Sequence, residues 1–280
     1  ALVRNLYSAQ TLGSSTVICT DKTGTITEGK MFVDSLVLFN EKISIINNKI
    51  KNKNLTQNIK TLISIGINCN NSSIEENYND SEGIDGVLGT PTENSILYLA
   101  YKNNLLELNK KIDEIPFNSD RKFMITLCNI NKEKNCLYIK GAPEKIFEKC
   151  SFVLNKSKIE KLNSKNLDNI KKQYNIMASS GLRILGCAYK NINIKYKKIS
   201  KNDYEKDLIF VGFFAIKDPL RKDSKRVINL CKKAGIKICM LTGDNRMIAT
   251  SIGKEIGLMK NNKNILDGFE IDLMTDAELK

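Results

Sequence analysis

Hydrophobic positions near the end of the sequence follow the order helix, strand, helix. Apolar residues at helical spacing over residues 227–234 predict a helix that ends at Gly235. The apolar run 236–241 predicts a buried strand, and apolar positions over residues 248–256 predict a second amphipathic helix closed by Gly257. This order of elements is typical of an α/β domain.

A short β-branched strand near the start of the sequence extends the same pattern. Val17 and Ile18 lead into a Gly/Thr-rich turn that begins at Asp21, and the later strand leads into residues 242–244. Strand, turn, helix, strand, turn, helix is the doubly wound pattern, in which ligands bind at the carboxyl ends of the strands. Two distant segments therefore predict one domain with a site at its two turns.

Between these segments, residues 31–216 change to mixed strands and helices with long polar loops. A chain that leaves a sheet and returns to it typically does so around an inserted domain. We therefore expect residues 1–30 and 217–280 to form one domain and residues 31–216 to form another. Within the insertion, the polar stretch 68–89, with its acidic cluster at 75–85, predicts a mobile loop.

Composition excludes several classes of protein. The chain has 280 residues, of which 41% are hydrophobic and 27% charged, as in a globular protein. Its longest apolar run, residues 208–216, is less than half of the ~20 residues that a membrane-spanning helix needs. The net charge is +13, but the lysines are interleaved with asparagines and accompany no nucleic-acid-reading motif. A solvated basic surface is favoured over nucleic acid binding.

The cysteines give no pattern of zinc ligands. There are eight of them, without a Cys-x-x-Cys pair and without any histidine in the chain. Reduced thiols are the expected state. Cys19, two residues before Asp21, is interpreted either as a small hydrophobic residue of a central strand or as an alkylation-sensitive thiol.

Asp21 has the surroundings of an aspartate that attacks phosphorus. It follows a short strand and precedes a turn that contains Lys22, Thr23 and Thr25. A carboxylate attacks a phosphate only when the negative charge of the phosphate is neutralised by a metal, a cation and N–H groups. The alternative for an isolated Asp-Lys pair is a surface pair at a strand-to-turn junction, and the longer motif favours the chemical role.

Four segments resemble, in the same order, the motifs of one family. Residues 18–27 (Ile-Cys-Thr-Asp-Lys-Thr-Gly-Thr-Ile-Thr) resemble the phosphorylation signature of the P-type ATPases, the ion pumps that form an aspartyl phosphate. Residues 140–144 resemble the lysine motif of their nucleotide-binding domain, residues 218–221 their hinge, and residues 242–245 their second phosphate-binding turn. Each match alone is weak because such turns are common, but four in order are strong evidence.

The resemblance covers nearly the whole chain and implies its architecture. The implied fold class is α/β: an incomplete haloacid-dehalogenase-like (Rossmann-type) phosphorylation domain, in residues 1–30 and 217–280, interrupted by an inserted α+β nucleotide-binding domain, in residues 31–216. Residues 3–14 resemble the segment by which calcium- and sodium-pump relatives leave a membrane helix. The chain is thus expected to be the catalytic part of a type II pump for calcium or sodium, at the cytoplasmic face of a membrane. Its partners, the membrane helices and the actuator domain, lie outside this sequence.

The resemblance assigns the catalytic roles to Asp21 as nucleophile and Lys22 as its neighbouring cation. It implies an Mg²⁺ ion held by the Asp21 carboxylate, the main-chain carbonyl of Thr23 and a further aspartate of a motif that does not occur in this sequence. Without that ligand, and without the actuator loop that positions water, we expect very slow phosphorylation of this chain and no sustained hydrolysis of ATP.

A second set of residues is expected to face the transferred phosphate. Thr242 and Gly243 would supply a hydroxyl and backbone N–H groups, while Asp244 would lie near Lys22 or the ribose. A helix that begins around Asn245 would direct its partial positive end to the same place. The alternative is that Asp244 or Asn245 caps this helix, and the two roles are compatible.

For ATP, the resemblance implies an adenine platform in residues 116–122. The ring of Phe117 would stack on the base, with Lys122 as a nearby cation and Lys140 downstream. On general grounds, a phenylalanine at the end of a strand is more often a core residue. Many calcium pumps have an arginine where this chain has Ser119, which leaves one phosphate or ribose contact open.

Four further residues receive roles from the resemblance. Glu93 would accept a hydrogen bond from the adenine amino group, yet Thr90 and Glu93 also form a capping box with proline at the first helical position. Arg183 would reach the β-phosphate. Asp218 and Arg221 would shape the hinge and its side that faces Mg-ATP, although an Asp-Pro turn needs no such role.

Two other classes stay open from the residues. A soluble haloacid-dehalogenase-type phosphohydrolase usually has a second aspartate two positions after the nucleophile as acid/base catalyst, where this chain has Thr23. A basic nucleic-acid-binding module is compatible with the net charge of +13, but no motif supports it.

Overall fold

The structure, a computed structural model, describes residues 10, 13–51, 55–75, 78–131, 134–193, 197–244, 246–259 and 265–278, without the side chains of 80–82. Most of the segment 3–14 and Asn245, the expected start of a helix, therefore lie outside the described residues. The strands are β1 Val17–Asp21, β2 Phe32–Leu38, β3 Glu41–Ile46, β4 Lys49–Ile50, β5 Ser73–Ile74, β6 Val87–Leu88, β7 Lys110–Ile115, β8 Phe123–Asn131, β9 Lys134–Gly141, β10 Cys150–Asn155, β11 Lys158–Lys161, β12 Arg183–Asn193, β13 Leu208–Lys217 and β14 Lys237–Leu241. The helices are α1 Gln57–Asn68, α2 Pro91–Lys102, α3 Pro143–Phe147, α4 Ser164–Ser179, α5 Lys201–Tyr204, α6 Ser224–Lys233, α7 Arg246–Glu255 and α8 Gly268–Leu273.

These elements form two compact units. The smaller unit contains the described residues up to Gly29, residues 179–181 and the described residues from Asp218 onward. The larger unit contains Lys30–Ala178 and Leu182–Lys217. None of the helices in the described part of the chain is long and apolar enough to cross a membrane.

The larger unit is built on one extensive sheet. Its strand order is β4-β3-β2-β13-β12-β9-β8-β7, and every neighbouring pair in this series is antiparallel. Strand β10 pairs in parallel with β13 and also pairs with β11. A large antiparallel sheet that carries helices agrees with the predicted α+β character of the inserted segment.

Strand β13 separates two hydrophobic cores in the larger unit. The apolar run that lies in it is buried on both faces, because helices α1 and α2 pack on one side of the sheet and helices α3 and α4 pack on the other. Helix α1 lies so close to the sheet that a Cβ atom on Gly66 would come within 2.6 Å of the Phe214 ring. Glycine is therefore required at this position for the helix to reach the sheet.

The polar stretch 68–89 was predicted to be a mobile loop, and that prediction is wrong for the residues described. The stretch contains the antiparallel pair of β5 and β6 and a tight helical turn at Asp80–Gly86. Ile84 and Val87 are buried in the core beneath α1 and α2. The acidic composition hid these two apolar anchors, which fix the segment to the larger unit.

The smaller unit places β1 and β14 side by side as a parallel pair. Helices α6 and α7 cover one face through Ile228, Ile248 and Ile252, which pack with Ile238 of β14. Both helices are followed by a glycine with positive φ, Gly235 at 77° and Gly257 at 73°, as their sequence predicted. This small core also contains Ile26, Ile256, Leu220, Met240 and Leu258.

The prediction that residues 236–241 form a buried strand is wrong for its outer face. Alternate residues of β1 and β14 are exposed, including Val17 at 51% and Leu241 at 56%. Exposure alternates from one residue to the next because, among the described residues, helices pack on a single face of this pair of strands.

The backbone passes out of the smaller unit and returns to it at neighbouring positions. The N–H of Glu28 donates to the carbonyl of Pro219 at 2.9 Å, and Thr27 forms a bridge with Leu220. The N–H of Gly29 donates to the Asp218 carboxylate at 3.1 Å. The segment by which the chain leaves the smaller unit and the segment by which it returns are thus held together by hydrogen bonds.

Candidate functional site

Asp21 and the turn 242–244 meet at one edge of the smaller unit. Strands β1 and β14 run in parallel with Asp21 paired to Leu241, so the residues that follow each strand leave the sheet at its carboxyl edge. The side chain of Asp21 is exposed, and one of its oxygens accepts a hydrogen bond from the N–H of Lys22 at 2.8 Å. The Asp21 carboxylate is therefore accessible to a ligand from solvent.

Lys22 is buried beneath this edge and joins three segments of the chain. Its ammonium group lies 2.6 Å from the Asp244 carboxylate and 3.6 Å from the Asp218 carboxylate, and its side chain is only 3% exposed. Burial of a charge requires partners of opposite sign, and here two carboxylates supply them. The predicted proximity of Asp244 to Lys22 is confirmed.

Asp218 fixes the turn that follows Asp21. The Thr27 hydroxyl donates to one carboxylate oxygen of Asp218 at 2.7 Å, and the N–H of Gly29 donates to the other. Both oxygens are thus directed by the chain, and the carboxylate also faces Lys22. This geometry suits the shaping role expected for Asp218.

Arg221 stabilises the same turn from the outside. The guanidinium group of Arg221 donates to the carbonyl of Gly24 at 2.7 Å. The main-chain N–H of Arg221 donates to the carbonyl of Ile26 at 3.1 Å. Gly24 has a φ of 77°, a conformation that a residue with a side chain rarely adopts. The Gly/Thr motif therefore provides a backbone bend that Arg221 holds in place.

The remaining residues of this edge are available to a ligand. Thr23 and Gly243 are exposed, and the Thr242 hydroxyl accepts a hydrogen bond from the N–H of Asp244 at 3.1 Å. Mg²⁺ in phosphoryl-transfer sites is bound through one or two carboxylates together with phosphate oxygens and water. No group of three metal-binding side chains occurs in the described part of the chain. The exposed Asp21 carboxylate is a ligand of the kind that binds Mg²⁺ together with a phosphate.

In the larger unit, Lys140 and Glu93 form a buried ion pair. The Lys140 ammonium group lies 3.0 Å from a Glu93 carboxylate oxygen, and the side chains are 4% and 16% exposed. Lys140 reaches this position from β9, where it pairs with Met124 of β8 and Cys187 of β12. The pair joins the middle of the sheet to the first turn of helix α2.

The thiol beside this pair is neutral. Cys69 lies at the end of helix α1, and complete burial raises the pKa of its thiol to about 11, although the nearby Lys140 ammonium opposes the shift. The Cys69 thiol thus carries no charge near neutral pH. Glu93 is therefore the anion that balances Lys140 at this point of the core.

The start of helix α2 tests the capping interpretation of Glu93. The Thr90 hydroxyl accepts from the N–H of Glu93 at 3.4 Å, with Pro91 in the first turn, as a helix cap requires. In a full capping box the Glu93 carboxylate would accept from the backbone N–H of Thr90. Here the Glu93 carboxylate binds Lys140 instead. The capping prediction is therefore correct for Thr90 and wrong for the Glu93 side chain.

Phe117 and Lys122 lie on the loop between β7 and β8. The ring of Phe117 is 62% exposed, so the general expectation of a core residue is wrong. Asn118 organises the loop by accepting from the N–H groups of Asp120 and Arg121. Lys122 is exposed and has a φ of 61°. Its carbonyl accepts a hydrogen bond from the backbone N–H of Ala142, two residues after Lys140. The loop presents an aromatic ring to solvent beside the strand that carries Lys140.

Arg183 is linked to Glu93 through the neighbouring residue. Its guanidinium group donates to the Thr92 hydroxyl at 2.9 Å. The structure therefore brings Glu93, Lys140 and Arg183 around the first turn of α2, whereas Phe117 and Lys122 are exposed on a separate loop.

Three residues in these two sites were missed by sequence reasoning. Thr27 positions Asp218, Thr92 positions Arg183, and Asn70 donates to the carbonyl of Glu93 at 3.1 Å from a buried position. Thr27 and Thr92 both lie inside motifs that were recognised, so each hydroxyl near an assigned residue was a usable signal. Asn70 carried no such signal, because its partner is distant in sequence.

Comparisons with known proteins agree with this architecture. Residues 58–223 match the family described as P-type ATPase, cytoplasmic domain N. The chain is 37% identical over its whole length to the calcium-transporting ATPase lmo0841 of Listeria monocytogenes. Calcium-transporting ATPases 1 of Lactococcus lactis and Saccharomyces cerevisiae are 35% and 34% identical, again over the whole chain.

The matched residues thus form a nucleotide-binding domain of the class found in ion pumps. The chain belongs to the P-type ATPase family. It spans about a third of the length of these relatives, 31% of each.

Proposed function

We propose that this chain is the ATP-binding and phosphorylation part of a calcium-transporting pump, and that Asp21 is its phosphorylated residue. The observation that carries the proposal is the position of Asp21 and residues 242–244 at the carboxyl edge of two parallel strands, joined by buried Lys22. Calcium is favoured over sodium because the similar proteins are described as calcium-transporting ATPases. Membrane helices and an actuator domain are its proposed partners, with this part at the cytoplasmic face.

The haloacid-dehalogenase-like fold is proposed for the smaller unit. The parallel pair of strands, the helices that cover one of its faces and the two turns at one edge support it. On this basis residues 1–30 and 217–280 form the phosphorylation domain and residues 31–216 form the nucleotide-binding domain. The two outer boundaries of the compact units lie within one residue of these limits, whereas residues 179–181 of the proposed nucleotide-binding domain belong to the smaller unit.

The nucleotide would bind to the larger unit through four kinds of contact. The exposed ring of Phe117 is positioned to stack on adenine, and Glu93 would accept from the adenine amino group. Lys140 orients the Glu93 carboxylate, because its ammonium group lies 3.0 Å from a carboxylate oxygen. Lys122 would supply a cation near the base, and Arg183 would bind the β-phosphate.

Phosphoryl transfer would take place at the smaller unit. A carboxylate oxygen of Asp21 forms a bond to the γ-phosphorus, the bond from that phosphorus to the bridging oxygen breaks, and ADP leaves with the electron pair. When bound, Mg²⁺ neutralises the repulsion between the carboxylate and the phosphates. Thr242 and Gly243 would hold phosphate oxygens by a hydroxyl and an N–H, while Lys22 provides positive charge beneath the edge.

The test is incubation with γ-labelled ATP and Mg²⁺, followed by acid quench. We expect slow labelling of the chain, an adduct that hydroxylamine removes, and no label in Asp21→Asn. Asp223→Asn is the matched control, because Asp223 is an exposed aspartate of the same unit and its variant should label like the parent. Labelling that persists in Asp21→Asn would contradict the assignment of the nucleophile.

The same experiment separates the alternative function. A haloacid-dehalogenase-type phosphohydrolase would release phosphate continuously in a reaction that depends on Asp21, without accumulation of label. Steady release of phosphate of this kind would contradict the proposed role in a pump and would indicate that the chain itself is a phosphohydrolase.

A further inference from the structure

Asn70 joins the end of helix α1 to the first turn of helix α2 within the larger unit. The residue follows α1 and is only 7% exposed. Its side-chain nitrogen donates to the carbonyl of Gly66 in α1 at 3.2 Å and to the carbonyl of Glu93 in α2 at 3.1 Å. Its side-chain oxygen accepts from the N–H of Ser72 at 2.7 Å. One buried side chain therefore connects three segments of backbone.

The three partners of Asn70 require an amide of this length. A carbonyl oxygen can only accept and a backbone N–H can only donate, so the orientation of the amide is determined by its partners. Aspartate has the same shape but no donor when ionised, serine has a single donor, and glutamine is longer by one methylene group. Asparagine satisfies all three partners at once.

The connection ties the Glu93 backbone to the central sheet. Gly66, which accepts from Asn70, lies where α1 packs directly on the Phe214 ring of β13. The Glu93 side chain returns to the same sheet, because its carboxylate lies 3.0 Å from the ammonium group of Lys140 in β9. Asn70 thus fixes the backbone of Glu93 while Lys140 fixes the end of its side chain.

We propose that Asn70 is a positioning residue that sets the preference of the site for adenine. It holds the Glu93 backbone so that the carboxylate lies where it accepts from the adenine amino group. This inference rests on the proposed function of Glu93 in nucleotide binding. Hydrogen bonds weaken steeply as their distance and angle depart from the optimum, so a small displacement of this turn is enough to lose the contact.

Asn103 provides a matched control at the opposite end of α2. Its side-chain nitrogen donates to the carbonyls of Leu99 and Asn48 at 2.7 and 2.9 Å, and its side-chain oxygen accepts from the N–H of Ile50 at 2.9 Å. Asn103→Ala therefore removes the same set of hydrogen bonds from the same helix, far from its first turn. It should lower stability and leave the preference for the base unchanged.

The first test is calorimetric titration of the 280-residue chain with ATP and with ITP, whose base lacks the amino group. In Asn70→Ala the ratio of the two affinities should fall about fivefold, the factor that one hydrogen bond of ordinary strength contributes. Asn70→Asp, which keeps the acceptor for Ser72 and lacks the donors, should behave alike. A smaller folded fraction weakens both ligands equally and leaves the ratio unchanged. A ratio like that of the parent in both variants would overturn the proposal.

The second test is a double-mutant cycle in stability, which needs no nucleotide. Hydrogen exchange of β9 and β12 amides in increasing urea gives the unfolding midpoint of the larger unit in the parent, Asn70→Ala, Glu93→Gln and the double variant. If Asn70 holds the Glu93 carboxylate on Lys140, Glu93→Gln should lower the midpoint less in Asn70→Ala than in the parent. Additive shifts would overturn the positioning role.

The two tests separate this inference from the proposed function. Equal affinity of the parent for ATP and ITP would contradict the adenine contact of Glu93, and with it the base preference assigned to Asn70. The cycle would still decide whether Asn70 positions the Glu93 carboxylate. A clear preference for ATP that survives in the Asn70 variants, with additive shifts in stability, would leave the proposed function intact and remove Asn70 from it.

Discussion

The Lys22 ammonium group lies 2.6 Å from the Asp244 carboxylate, although one residue follows β1 and the other follows β14. This contact ties the two turns of the candidate phosphorylation site to each other. Asp218 completes the group from a third segment, at 3.6 Å from the same ammonium. Three separate stretches of sequence therefore depend on a single buried cation.

Removal of that cation should destabilise the smaller unit. Lys22→Met preserves most of the side-chain volume but removes the buried ammonium group that faces two carboxylates, and breaking a buried ion pair in this way should cost about 3–5 kcal/mol. Hydrogen exchange of the β1 and β14 amides in increasing urea measures the free energy of unfolding of the smaller unit separately from that of the larger unit.

Arg226→Met is the matched control for this measurement. The Arg226 and Asp223 side chains form an ion pair at 3.2 Å that is 69% and 72% exposed, so its loss should cost about 0–1 kcal/mol. Equal effects of the two substitutions would mean that the Lys22 cluster contributes no more than a surface pair.

Phe117→Ala should weaken ATP binding without loss of stability. Stacking of an aromatic ring on a base contributes about 1–3 kcal/mol, so the affinity should fall about fivefold to a hundredfold. The ring is 62% exposed, so its removal leaves no cavity in the core. Calorimetric titration measures the affinity, and Phe269→Ala, at a ring that is 66% exposed in the smaller unit, should bind ATP like the parent. Unchanged affinity in a folded Phe117→Ala would remove this residue from the site.

Arg183→Ala should separate contacts to phosphate from contacts to the base. A hydrogen bond to a charged group contributes about 1.5–3 kcal/mol, so ATP and ADP should bind about tenfold to a hundredfold more weakly. Adenosine, which has no phosphate, should bind as it does to the parent. An equal loss for all three ligands would instead indicate that Arg183 acts on the fold of the site through Thr92.

Glu93→Gln should change the choice of base. If the Glu93 carboxylate accepts from the adenine amino group, the parent should bind ATP more tightly than ITP, whose base lacks that group, and Glu93→Gln should reduce the ratio. Thr90→Ala removes the cap of α2 and leaves Lys140 paired, so it should cost about 1 kcal/mol in stability and leave the ratio unchanged. A ratio that is the same in all three proteins would favour a purely structural role for Glu93.

The smaller unit was the more predictable part of the chain. Motif order placed Asp21 and residues 242–244 at strand ends, and parallel strands bring such ends together by geometry alone. The two glycines with positive φ, Gly235 and Gly257, marked the ends of helices because few other residues adopt that conformation. What the pattern missed was exposure, because apolar side chains such as Val17 and Leu241 are buried only where another element covers them.

The larger unit was less predictable, because its contacts join residues that are distant in sequence. Glu93 satisfied a local rule for helix capping, and only the tertiary contact between Lys140 of β9 and the first turn of α2 directs its carboxylate elsewhere. Ile84 and Val87 were concealed in an acidic stretch for a similar reason. Local patterns determine the backbone of such segments, whereas the partner of a charged or isolated apolar side chain is determined by tertiary packing.

The hydrogen bonds that join Glu28 to Pro219 and Gly29 to Asp218 make the smaller unit independent of the length of chain between them. A peptide of a few residues is long enough to close the gap between two such adjacent backbones. Lys30–Lys217, of which all but residues 179–181 belong to the larger unit, therefore has the closely spaced ends that an inserted module requires.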